Sequence, residues 1–148
     1  MINYSAPDLT RHPPRSVRVR LGGYVHLSRL LDKARADLAG KAGEYHYNCP
    51  LDQRFFAFTG INPEAMLATI KTGKTDVEIL EWVNTTSKRQ PWEIAAWSAW
   101  LEQHGPGGPE GHEWFAEVIK ARKSERDDLR SFADLLDFDD YLSYGGKA

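Results

Sequence analysis

The sequence predicts an all-α protein, a compact array of about six to seven short helices with no substantial sheet. Two observations predict this fold class. Helix-start signals followed by apolar residues at helical spacing recur along the chain, and most such segments end near a glycine. Only residues 15–21 alternate in the manner of a strand, and they have no second strand with which to pair. We therefore interpret residues 15–21 as an arm or an early helical turn.

The predicted helices follow one another with short connections, which favours a compact array over a bundle of long helices. Three of them open at a proline in the first helical position. Two open at a capping box, in which Thr75 has Glu78 three residues on and Ser131 has Asp134. The first helix is expected over residues 24–39, and later ones begin near residues 50, 63, 76, 91 and 131. An amphipathic face over residues 114–119 predicts one more helix.

Length and composition predict one helical domain over residues 1–148. The chain is 41% hydrophobic and 27% charged, so it can form a core, and its formal net charge of −2 excludes a basic field over the whole molecule. A single cysteine excludes an intramolecular disulfide and favours a reducing compartment, so we expect a cytoplasmic location. No apolar run approaches the length of a membrane span or a signal peptide, so no membrane association is predicted.

Charge is unevenly distributed along the chain. Residues 1–20 form a basic arm that contains prolines, whereas residues 131–148, the predicted last helix and tail, are acidic. Two interpretations stay open: the arm folds back across the acidic end, or it holds a small anion. Nucleic acid is less favoured as a partner because the basic surface is narrow. The arm carries four arginines, whose planar guanidinium groups suit carboxylates and phosphates: Arg11, Arg15, Arg18 and Arg20.

The segment GEYHYNCPLD, residues 43–52, carries the most informative motif. Cys49 precedes a helix-starting proline, so its sulfur is expected near unpaired N–H groups that favour a thiolate. An enzyme hypothesis follows, with Cys49 as nucleophile, His46 as base, and Asp52 or Glu44 orienting the histidine.

Two other interpretations of Cys49 stay open. Free cysteine is commonly buried and inert. Metal ligation would combine Cys49 and His46 with Asp52, Glu44 or His26, but a structural zinc site needs four nitrogen or sulfur ligands. The five histidines are scattered along the chain, so no metal or cofactor is predicted.

Aromatic residues make up 11% of the chain and lie mostly at helical spacing among aliphatic residues. Core packing is therefore the better interpretation than a ligand pocket or a base-stacking surface. Trp92 is the exception, because it sits in a first helical turn and is expected to be partly exposed. His104 and His112 flank a glycine-rich loop and are expected to be solvated. The aromatic residues interpreted in this paragraph are Trp92, Trp97, Trp100, Trp114 and Phe115.

Four segments in one order carry a family resemblance: RLGGYVHLSRLLDKARADLAG, GEYHYNCPLD, PWEIAAWSAW and LLDFDDYLSYGGKA. They resemble the bacterial domain-of-unknown-function family 5069, over a region running from about Pro7 to the C-terminus. The resemblance implies a small, stand-alone soluble bacterial protein. It implies no activity and no catalytic residue.

The leading hypothesis is a protein that binds a small anionic ligand between the arginine arm, Arg29 on the first helix and residues 43–52. Tyr45 or Tyr47 would pack against the body of the ligand. The Cys49 enzyme is the first alternative. A protein–protein interaction module that docks through the basic arm or the acidic tail is the second. Whether the chain is an enzyme, and its oligomeric state, stay open.

Overall fold

The computed structural model describes all 148 residues and contains seven α-helices and no sheet, which confirms the predicted fold class. The one extended contact is an isolated bridge between Leu21 and Tyr24. No helix combines the length and the apolar run that a membrane span requires. The helices are α1 (Leu27–Leu38), α2 (Pro50–Thr59), α3 (Pro63–Lys71), α4 (Asp76–Ser87), α5 (Pro91–Gln103), α6 (Gly108–Ala121) and α7 (Phe132–Ser143).

The helix starts follow the capping chemistry that the sequence predicts. α2, α3 and α5 open with proline at the first helical position, where no N–H is needed. The hydroxyl of Thr75 accepts from the Glu78 N–H at the start of α4, and that of Ser131 accepts from the Asp134 N–H at the start of α7. These caps satisfy backbone donors that the helices leave unpaired.

The first helix is shorter than predicted, because it begins at Leu27 and not at residue 24. His26 has a φ of 68°, in the left-handed region, so the helix cannot extend backwards through it. Tyr24 and Val25 are fully buried but precede the helix. The Val25 N–H donates to the Ser98 hydroxyl at 3.1 Å, which ties this segment to α5.

The main core surrounds α1, which is buried along most of its length. α1 packs against α3, α2 against α4, and α5 against α7. A smaller apolar cluster joins α6 and α7 through Phe115, Ile119 and Phe138. α1 also carries charged residues into the interior: Arg29, Asp32 and Lys33 are each 3% exposed or less. Buried charges require partners, and these partners define the site described below.

The aromatic residues divide between the core and the surface. Trp97 and Phe115 are buried as predicted, and Trp92 is 72% exposed, also as predicted. Trp100 and Trp114 were expected in the core, but they are about half exposed, at 45% and 54%. Each lies beside the buried stripe of its helix, so its ring extends towards solvent.

Candidate functional site

A cavity of about 890 Å³ opens between α1, the segment of residues 43–52, the start of α2, and α7. Its apolar wall includes Leu51, Leu135 and Leu136. Its charged lining includes Arg29, Lys33 and Arg54, together with three carboxylates: Glu44, Asp139 and Asp140. A concave, largely apolar cavity with a few converging polar groups is typical of a small-molecule site.

Asp52 is the centre of a buried polar network beside this cavity. Its Oδ1 accepts from His26 Nε2 at 2.6 Å, and its Oδ2 accepts from Lys33 Nζ at 2.8 Å. The Cys49 backbone N–H also donates to Oδ2, at 3.3 Å, which closes the start of α2. Burial acts to raise the pKa of Asp52, but the hydrogen bond from His26 and the charge of Lys33 outweigh it and hold this pKa below 3.8. Asp52 is therefore an anion with both oxygens occupied.

His26 lies in the cavity lining and is 1% exposed. Burial lowers its pKa below 6.5, against the hydrogen bond to Asp52, and the positive charges of Lys33 and Arg29 lower it further. The ring is thus neutral at pH 7, with its proton on Nε2 facing Asp52. Nδ1 is the only buried side-chain nitrogen or oxygen in the protein without a hydrogen-bond partner. An unpaired buried acceptor costs roughly 1–3 kcal/mol.

Cys49 caps α2, and its side chain is partly exposed in the cavity lining. Lys33 Nζ donates to Cys49 Sγ at 3.0 Å, to the His46 backbone carbonyl at 3.0 Å and to Asp52 at 2.8 Å. All three ammonium hydrogens of Lys33 are therefore used. The sulfur of Cys49 thus lies beside the ammonium group of Lys33 at the start of α2.

The structure does not assemble the residues of the predicted enzyme as expected. The His46 ring is exposed and makes no hydrogen bond to Cys49 or Asp52; only its backbone carbonyl joins the network. Glu44 is also exposed and lies at the cavity edge without a partner. Asp52 orients His26 and not His46, because His26 is the imidazole that the fold places beside it.

Three of the four arginines of the arm are paired with carboxylates of the same chain. Arg15 pairs with the fully buried Asp32 at 2.9 Å and with Asp76 at 2.8 Å. Arg18 pairs with Asp134 and Asp137, so part of the arm does fold back on the acidic end.

The remaining arm residues do not line the cavity either. Arg20 bonds to Glu102 at 3.2 Å, and Arg11 is exposed. The predicted pocket between the arm and residues 43–52 is therefore not formed, because the guanidinium groups of Arg15, Arg18 and Arg20 already face carboxylates.

Two of the predicted binding residues do reach the cavity. Arg29 pairs with Asp140 at 2.7 Å and lies 5.5 Å from the centre of the Tyr45 ring. The Tyr45 hydroxyl donates to Asp140 at 2.7 Å. Burial and that carboxylate raise the pKa of Tyr45, so its hydroxyl keeps its proton. Tyr47 lies elsewhere, with its hydroxyl on the Pro63 carbonyl at 2.7 Å.

Arg54 is the one cation of the cavity lining with no carboxylate partner. Its guanidinium group lies 5.9 Å from the centre of the Trp100 ring, and the His104 ring stacks on Trp100 at 4.6 Å. Partial burial lowers the pKa of His104, and the charge of Arg54 lowers it further. Arg54 and His104, both in the cavity lining, thus form a cationic and aromatic group with Trp100.

Sequence reasoning missed Lys33 and Arg54 and considered His26 only as a metal ligand. A signal for Lys33 existed: His26, Arg29 and Lys33 fall at i, i+3 and i+7, which places them on one face of the predicted helix, beside the apolar residues Leu30 and Ala34. Polar residues on a buried face indicate internal partners. No three His, Cys, Asp or Glu side chains converge as a metal site would require.

Residues 11–142 match the family described as "Domain of unknown function (DUF5069)". The chain belongs to this family. The match includes α1 to α6, nearly all of α7, and every residue of the cavity network described above. No curated protein is similar enough to match the chain. The resemblance seen in the sequence is thereby confirmed, and the family description assigns no activity.

Proposed function

We propose that the protein binds a small amphipathic molecule that carries one anionic group, in the cavity between α1, α2 and α7. The cavity itself carries the proposal, because its volume of about 890 Å³ lies within the range of roughly 300–1,000 Å³ that small-molecule sites occupy. The ligand class is the one expected from the sequence, but the residues that hold the ligand differ.

The charges of the lining favour Arg54 as the partner of the anionic group. Arg29 and Lys33 are already paired with buried carboxylates, whereas Arg54 has none. Leu51 and Leu135 supply apolar surface for the body of the ligand. The uncompensated negative charge in the lining is Glu44, which is exposed.

Calorimetric titration with octanoate and with 1-octanol tests the proposal. Octanoate should bind more tightly than 1-octanol, and Arg54→Gln should weaken octanoate binding by about tenfold, because a hydrogen bond to a charged group contributes roughly 1.5–3 kcal/mol. Glu44→Gln should strengthen it by removing a like charge. Arg20→Gln, on the paired arm, is the matched control and should leave it unchanged. The proposal would be overturned if neither octanoate nor 1-octanol binds, or if Arg54→Gln and Arg20→Gln weaken octanoate binding equally.

A second candidate function is an enzyme that uses Cys49 as nucleophile. The observation that favours it is the 3.0 Å contact from Lys33 Nζ to Cys49 Sγ at the start of α2. In this candidate Lys33 would act as a neighbouring positive charge, whereas the sequence predicted His46 as a base. Electrostatic stabilisation of a thiolate by a neighbouring cation is a common way to activate a cysteine.

Iodoacetamide labelling at pH 7 separates this candidate from an inert thiol, and Cys49 is the only cysteine to label. The double variant Lys33→Met/Asp52→Asn should be alkylated about tenfold more slowly than Asp52→Asn alone, since only the former loses the cation. Lys33 is replaced together with Asp52 because Lys33→Met alone would leave the buried Asp52 carboxylate without its charged partner. His46→Gln should label at the wild-type rate. Equal rates in the two Asp52→Asn backgrounds, or no labelling of the folded protein, would contradict the candidate.

A further inference from the structure

The buried side of the cavity holds an acceptor that nothing in the protein satisfies. His26 Nε2 donates to Asp52 at 2.6 Å, and a neutral imidazole has one donor and one acceptor, so Nδ1 is the acceptor. The ring is 1% exposed, and Nδ1 has no hydrogen-bond partner. Native proteins rarely leave such a group unpaired, and an exception calls for an explanation.

The fold prevents His26 from relieving this acceptor by moving. Its backbone N–H donates to the Val17 carbonyl at 2.8 Å, and its carbonyl accepts from the Leu30 N–H at 2.9 Å. Turning the ring would break the bond to Asp52, which is itself fixed by Lys33. The position of Nδ1 is therefore fixed by the buried side chains of Asp52 and Lys33 and by the backbone hydrogen bonds of His26 at the start of α1.

Two strong donors of the lining, Lys33 and Tyr45, are already used. Lys33 spends its three N–H groups on His46, Cys49 and Asp52. The Tyr45 hydroxyl donates to Asp140. Because His26 belongs to the cavity lining, an occupant of the cavity is a source of the missing donor.

We propose that His26 Nδ1 accepts a hydrogen bond from a hydroxyl group of the ligand, so that the ligand class is an apolar acid hydroxylated at the end opposite its anionic group. This inference rests on the proposed function. A neutral hydroxyl suits the position better than an ammonium group, because Lys33 and Arg29 lie on the same face of α1. The two polar anchors differ in exposure: Arg54 is exposed, whereas His26 is buried. Burial lowers the pKa of His26, which keeps Nδ1 free to accept at pH 7.

Two probes of nearly equal shape test the inference: 8-hydroxyoctanoate and 8-methoxyoctanoate, which differ in the one donor. The hydroxy acid should bind the wild-type protein at least about tenfold more tightly than the methoxy acid, because only it pairs the buried acceptor. On binding, the ¹⁵N resonance of His26 Nδ1 should move upfield with the hydroxy acid and stay in place with the methoxy acid.

His26→Gln should reduce the discrimination to less than about threefold, since glutamine places an amide near the Nε2 position but no acceptor at that of Nδ1. His104→Gln removes the neighbouring imidazole of the same cavity and should preserve the discrimination. The NMR measurement needs no variant, so it decides the matter even if His26→Gln does not fold.

The outcomes separate the two proposals. If both acids bind equally and Nδ1 does not respond, ordinary ligand binding stands and the His26 inference is overturned. If the hydroxy acid binds more tightly while Nδ1 stays unchanged, its hydroxyl pairs elsewhere and the inference is overturned as well. If neither acid nor octanoate binds, the proposed function fails and the inference fails with it.

Discussion

His26 Nε2 donates to Asp52 Oδ1 at 2.6 Å although 26 residues separate them, and the contact joins the starts of α1 and α2. Both residues are buried, and Lys33, further along α1, donates to the other oxygen of Asp52. The same carboxylate therefore caps one helix, orients an imidazole of another and neutralises an interior lysine. Stability and the proposed ligand binding depend here on the same group.

Asp52→Asn should destabilise the protein by about 3–5 kcal/mol, because it leaves the ammonium group of Lys33 buried without its counter-charge. Urea unfolding followed by circular dichroism measures the loss. Glu44→Gln is the control: it removes a carboxylate at the edge of the same cavity that has no partner, and should change stability by less than about 0.5 kcal/mol. The double variant Lys33→Met/Asp52→Asn should be more stable than Asp52→Asn alone. An Asp52→Asn protein as stable as wild type would show that the network contributes little.

The helices were predictable because their signals are local. Pro50 after Cys49, and Thr75 three residues before Glu78, fix helix starts through neighbouring backbone donors. One exception is the start of α1, where the left-handed φ of His26 depends on tertiary contacts with the preceding segment. Another is α6, which begins at Gly108, within the glycine-rich segment that was predicted to be a loop.

The partners within the site could not be read in the same way. Sequence proximity favoured His46 as the partner of Cys49 and Asp52, but the fold brings His26 from another helix to Asp52. The arm raised a similar difficulty, because its four arginines are identical in type. Their use depends on which carboxylates the fold places opposite them, as with Asp32 for Arg15.

Acidification from pH 7 to pH 5 should lower the free energy of unfolding. The pKa of buried His26 lies below its ordinary value of 6.5 in the folded protein, so below pH 6.5 the unfolded chain takes up a proton that the folded protein does not. One such proton gives a slope of at most about 1.4 kcal/mol per pH unit. Urea unfolding at a series of pH values measures it.

Comparison of histidine variants assigns that slope. His26→Gln should flatten the dependence between pH 6.5 and pH 5, whereas His112→Gln, at an exposed position, should retain it. His104→Gln should flatten it only in part, because partial burial and the charge of Arg54 lower the pKa of His104 in the same direction. A wild-type slope that survives in His26→Gln would place the titrating group elsewhere.

Arg15→Ala should destabilise the protein far more than Arg18→Ala, although both belong to the same arm. Asp32 is fully buried and loses its charged partner in the first variant, so about 3 kcal/mol is expected. The side chains of Arg18, Asp134 and Asp137 are partly exposed, at 39%, 26% and 37%, and the second variant should cost less than about 1 kcal/mol.

The two arm variants should also differ in their response to salt. Addition of 0.5 M sodium chloride should reduce the contribution of Arg18, since exposed pairs are screened, and leave that of Arg15 nearly unchanged. Urea midpoints at low and high salt measure both effects. Equal losses for the two variants would mean that the arm is held by its surface charges alone.

Gly105→Ala should destabilise the protein by about 1–3 kcal/mol, because a side chain there must displace packed backbone. A Cβ at this position would lie 2.5 Å from the carbonyl oxygen of Arg130, in the segment that leads into α7. The next residue but one offers a matched control: a Cβ at Gly107 meets nothing within 4 Å, and its φ of −112° suits alanine. Gly107→Ala should therefore cost only about 0.5–1 kcal/mol, the cost of placing alanine at the N-cap of α6. Thermal unfolding of the two variants side by side measures the difference, and similar midpoints would show that α7 can move away from this loop without loss.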